Sequence, residues 1–165
     1  MQPASSPDDL ASDPVDRYWL GANHLVFCRS PSVCGTIHWG TSNADDVREF
    51  MRALELARHP ALAGGFAVYS DSSTIERVDW QPFSELATFV KDRLPEWAKV
   101  ITKQAVLVPP GPTGPLLAGM VPIIGMAYPM RFCSGRDLAL RQERSSAAPL
   151  TGATNTGGVS SNCCW

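Results

Sequence analysis

The chain has 165 residues and a formal charge of −2. One domain is the natural count at this length, and a near-neutral total leaves no electrostatic footprint for nucleic acid or an anionic membrane. No apolar run reaches the roughly 18–20 residues of a transmembrane segment, residues 1–16 lack the basic start and apolar core of a signal peptide, and five cysteines without a CxxC pair suit free thiols. These features lead to the expectation of a cytoplasmic protein with no cofactor.

Residues 1–17 (MQPASSPDDLASDPVDR) offer little to bury and read as a disordered segment. A domain is expected over 18–144, with Tyr18, Trp19 and Leu20 at its edge. His24–Gly40 alternates in the manner of a β-hairpin, with Ser30-Pro31-Ser32 as its turn. That register sets Cys28 opposite Cys34. A redox pair is conceivable there, and two small half-buried core residues is the plainer reading. Thr41–Ala57 carries Val47, Phe50, Met51 and Leu54 at helical spacing, with Ser42 or Asn43 as cap and Asp45 and Asp46 in the first turn. His59 reads as a cap at the end of that helix.

Phe66–Ser70 reads as a central strand, closed by a turn at Asp71-Ser72-Ser73. Asp79 is placed to cap a helix whose apolar stripe is Phe83, Leu86, Ala87, Val90 and Leu94; Pro95 stops or kinks it and Trp97 packs back. Gln104–Val108 is a further strand. Beyond it, PPGPTGP is a rigid connection, because its prolines remove the N–H groups a phosphate loop needs. Residues 116–126 form an uncharged helical segment, Pro129–Cys133 a last strand and Arg136–Arg144 a last helix. From 145 the chain reads as a disordered tail, and its ending Cys163-Cys164-Trp165 fits no usual lipidation signal. The expected fold is α/β: a mixed sheet of four to five strands with helices packed on it, in the order β-β-α-β-α-β-α-β-α.

That order resembles the STAS fold of anti-sigma-factor antagonists over about His24–Gln142. The residues carrying the resemblance are AVYSDSSTIERVDWQPFSEL, QAVLV and MRFCSGRDLAL. Asp71 and Ser73 sit where the family ends a strand in an Asp-x-Ser-like motif, and Asp79 sits where its Asp-Ser-Ser-Gly motif begins. In the family's phospho-switches the Ser after that Asp accepts phosphate at a helix N-terminus, where the added charge remodels the surface a partner reads. This chain has Trp80 and Gln81 there, and neither can carry that phosphate. The resemblance implies a non-enzymatic regulatory or protein-interaction module without the phosphoserine switch.

Other chemistries find little support in the residues. Asp71, Glu76 and Asp79 could do acid–base work, yet cap, loop and turn roles account for all three. His24, Cys28, Cys34 and His38 are symmetric about the hairpin turn, but positions four apart lie about 13 Å apart along a strand, too far to share a metal ion. The partner-facing surface is expected at Asp71, Ser73, Asp79, Trp80 and Ser84. An apolar patch or lid is expected at Leu116, Leu117, Met120, Ile123 and Ile124, and would be core, interface or the cover of a pocket. The partner would be another protein or a second copy of the chain. One alternative is a carrier or sensor of a small apolar ligand such as a lipid or acyl chain, and the other an enzyme of unknown type.

Overall fold

The structure is a computed structural model that describes residues 1–109 and 127–133. The expected helices at 116–126 and Arg136–Arg144 and the tail from 145 lie outside these residues, as do Leu116, Leu117, Met120, Ile123 and Ile124.

Seven strands form one mixed sheet: β1 (Gln2–Pro3), β2 (Arg17–Leu20), β3 (His24–Ser30), β4 (Val33–Ser42), β5 (Phe66–Val78), β6 (Ile101–Leu107) and β7 (Met130–Cys133). Their spatial order is their order in the chain. β3 runs antiparallel to its neighbours β2 and β4, while β1 pairs parallel with β2 and β4 through β7 run parallel. Three helices are described: α1 (Pro7–Ser12), α2 (Ala44–Leu54) and α3 (Trp80–Trp97). α1 packs on α2 and α2 on α3, so they make one layer over the sheet. The α/β class with a mixed sheet is as expected. The sheet is larger than the four to five strands read from the sequence.

The hairpin is as its alternation implies, with Cys28 opposite Cys34 and His24 opposite His38. α2 starts where the acids fall. The Asn43 side chain accepts from the Asp46 N–H while the Asp46 carboxylate accepts from the Asn43 N–H, a reciprocal capping box. Val47, Phe50 and Ala53 are buried beneath it. His59 ends a short 3₁₀ turn after α2, and its Nδ1 accepts from the Ala61 N–H.

Two expectations are corrected. Residues 1–17 are ordered: they form β1 and α1 and begin β2. Leu10 is 0% exposed in the core. Asp9 takes both guanidinium nitrogens of Arg17, at 3.1 and 2.8 Å, and Asp8 pairs with Arg52 of α2. A composition that looks too polar to fold is held by one fully buried leucine and charge pairs to distant residues.

The second correction concerns β5, which does not close at Asp71. It runs on to Val78 beside β4. The register slips between Ile37↔Asp71 and Trp39↔Thr74, which leaves one extra residue on β5. The Asp71 carboxylate accepts from the Ser73 N–H at 2.9 Å and its hydroxyl at 2.6 Å. An acid capturing the N–H two residues on is turn chemistry. Here pairing with β4 on both sides absorbs it as a bulge.

Candidate functional site

The side chains of β5 alternate across the sheet. Phe66, Val68, Ser70 and Ser72 face α3, and together with residues of the helices they enclose a cavity of about 260 Å³. Leu86, Val90, Leu94 and Trp97 of α3 form its roof, with Phe50 and Leu54 of α2 at one side. The floor crosses five strands, from Val26 through Thr36, Val68 and Gln104 to Phe132. Most of these side chains are apolar, so the space is a greasy slot between layers.

A few polar groups converge on it. The Tyr128 hydroxyl donates to Gln104 Oε1 at 3.1 Å, and Gln104 Nε2 donates to Ser70 Oγ at 3.0 Å. All three residues line the cavity. Donation therefore runs in one direction and ends on the Ser70 hydroxyl, which keeps its own proton to donate. Burial pushes the Tyr128 phenol up to about 12, so it stays a donor at neutral pH. Trp97, 6% exposed, also lines the cavity, and its indole N–H has no hydrogen-bond partner among the described residues. A buried donor without a partner carries a desolvation cost of about 1–3 kcal/mol.

A smaller cavity of about 120 Å³ adjoins the first, sharing His38, Phe50, Ser72, Phe83 and Leu86 with it. Its rim carries Arg77 and Asp79, which are well exposed and paired at 3.0 Å, so the space reaches solvent there. The bulge after Asp71 shapes this rim. β5 slips against β4 again between Ile75 and Arg77, and across the two bulges Ile75 and Arg77 join Ser72 on the cavity side. His24 and His38 stand at its inner end, with the Phe50 ring edge-on to both at centroid distances of 5.4 and 4.5 Å. Burial lowers His24 to about 4 and His38 to about 3, so both are neutral.

The residues expected to face a partner lie on two elements, Asp71 and Ser73 on β5 and Asp79, Trp80 and Ser84 at the start of α3. Asp71 is 3% exposed on the opposite sheet face from the cavity, with Ser73 and Tyr69 as donors to it. Asp79 does occupy the N-cap position of α3, but its side chain accepts from Arg77 and makes no capping bond. Trp80 opens α3. Ser84 lies one turn later, its hydroxyl donating to the Gln81 carbonyl. Asp79 lines the smaller cavity. Ser70, Gln104, Trp97 and Tyr128 were not singled out from the sequence as site residues. Their one legible signal is polar or indole residues at inward positions of otherwise apolar elements.

Among the described residues no three His, Cys, Asp or Glu side chains gather closely enough to hold a metal ion, and no helix is long and apolar enough to cross a membrane. Comparison with family models, with curated proteins and with solved structures finds no match to the chain.

Proposed function

We propose that this chain is a carrier or sensor of a small, mainly apolar molecule bearing one hydrogen-bond acceptor. The observation that carries the reading is the cavity between α3 and the sheet. Apolar surface left against water costs roughly 25 cal/mol per Å², so an apolar ligand gains by covering these walls, and the lining describes what fits. The apolar walls take a hydrocarbon or ring body. The Ser70 hydroxyl and the Trp97 N–H, both donors, favour a carbonyl, ether or hydroxyl oxygen over a cationic group. The opening at Ser72, Arg77 and Asp79 is the natural entrance.

A non-enzymatic regulatory module resembling STAS domains is the second reading, and one observation favours it. α3 leaves β5 at the cavity's rim, so an occupant beneath α3 alters the surface that a protein partner meets. Ligand sensing and partner binding would then be two ends of one device.

The test is native mass spectrometry of the full chain purified from its own host. The expected result is one small molecule bound per chain, released on collisional activation, and absent from a Val90→Trp variant that fills the cavity. An unliganded chain that also fails to take up N-phenyl-1-naphthylamine, an apolar fluorescent probe, would overturn the reading. A stoichiometric protein partner on an unliganded chain would favour the interaction module alone.

A further inference from the structure

Cys28 and Cys34 play no part in the ligand reading, and their geometry carries a separate inference. They stand directly opposite each other in the β3–β4 ladder. Opposed residues hold their Cβ atoms about 4.5–5.5 Å apart, close to the roughly 3.5–4.5 Å of a disulfide. The two sulfurs lie 2.6 Å apart, well inside van der Waals contact and closer to the roughly 2.05 Å of a disulfide than to two separate thiols. Both residues are buried, so neither side chain has room to turn away. Cys34 lines the large cavity, which adjoins the smaller one that reaches solvent beside Arg77 and Asp79. A reagent of two heavy atoms can thus arrive next to the pair without unfolding the sheet.

We propose that Cys28 and Cys34 are a reversible oxidation site, converted to a cross-strand disulfide by a hydroperoxide. Cys34 lines the cavity and Cys28 is 0% exposed, so the peroxide meets the pair at Cys34. The thiolate of one cysteine attacks one peroxide oxygen and the O–O bond breaks. The departing hydroxide takes up the proton that thiol has lost and leaves as water. The second thiol then attacks the resulting sulfenic acid: the S–S bond forms, the S–O bond breaks, and the hydroxyl leaves with the second thiol's proton as a second water. Two thiols and one hydrogen peroxide give one disulfide and two waters, so the electrons balance with the peroxide as oxidant. A thiol reductant reverses the change. Because the peroxide reaches Cys34 through the cavity, a bound ligand would slow the oxidation, and the disulfide forms in the unliganded chain.

The experiment treats the full chain with hydrogen peroxide, caps remaining thiols, and maps peptides without reduction. Trypsin cuts at Arg29, between the two cysteines, so the bond is seen as peptides 18–29 and 30–48 joined. The expected result is that joined pair, lighter by two hydrogens and separated by dithiothreitol. Cys28→Ser should stop at a sulfenic acid on Cys34 that dimedone traps, with no joined pair. Peptides that stay unlinked in the wild type would overturn the proposal, whether or not Cys133, Cys163 or Cys164 is oxidised. The wild-type map decides the main point even where a variant fails to fold.

Discussion

Two buried imidazoles make the chain's stability depend on pH in a direction that can be worked out. His24 and His38 stay neutral in the fold down to about 4 and about 3 because burial disfavours their charge. Asp46 pulls His24 back upward, Asp71 does the same to His38, and each opposes burial without cancelling it. In the unfolded chain both protonate near the ordinary value of about 6.5. Below that pH the unfolded state binds more protons than the native state, so stability falls as pH drops toward the native values. Each imidazole contributes up to about 1.4 kcal/mol per pH unit. Urea unfolding at pH 7 and pH 5 should show the loss, above the range where carboxylates titrate. His38→Phe should remove about half of it, and a flat profile in the wild type would sink the account. Gly35 makes a second residue-scale prediction. A Cβ there would meet the Phe27 ring at 2.5 Å and the Tyr69 carbonyl at 2.6 Å. Gly35→Ala should cost about 1–3 kcal/mol by overpacking, read as a lower urea midpoint at unchanged slope.

Single elements differ in how far the chain announced them. The hairpin and α2 were legible because their partners are near in sequence: the period-2 run and the Asn43 to Asp46 capping box are local facts. Asn43→Ala should accordingly cost about 0.5–2 kcal/mol. α1 was not legible, because what orders it is distant. Leu10 enters a core built by other segments, and the Asp8 to Arg52 bond spans 44 residues. Leu10→Ala should therefore cost about 2–5 kcal/mol, measured by equilibrium unfolding. A value near zero would mean that residues 1–17 do not dock in solution. β5 failed for another reason. Asp71 and Ser73 make the same local bond in a turn and in a bulge, and only pairing with β4 decides between them. A parallel partner is invisible to a reading of one segment at a time. The same limit applies to Asp79, whose place before α3 was clear while its bond to Arg77 was not.

For the whole molecule, the cavity is a product of layer geometry and no single stretch encodes it. Ser70 and Gln104 read as ordinary strand residues until β5 and β6 pair. Trp97 was expected to pack back and does, but only the assembled core shows that its N–H lacks a partner among the described residues. Phe83 near the start of α3 and Trp97 at its end line the cavity, with the smaller Val68 and Ser70 of β5 among its floor residues. This arrangement predicts opposite responses to filling the space and to binding in it. A ligand confined to the native state stabilises by about 2.7 kcal/mol when present at a hundred times its dissociation constant. Adding a bound apolar probe should therefore raise the urea midpoint of the wild type. Val90→Phe should raise the midpoint of the unliganded chain by recovering lost contacts, and should shrink the further rise on adding probe. Both effects come from one volume, so they must trade against each other. A Val90→Phe chain that is less stable yet keeps the full response to probe would place the binding site elsewhere and remove the cavity from the functional argument.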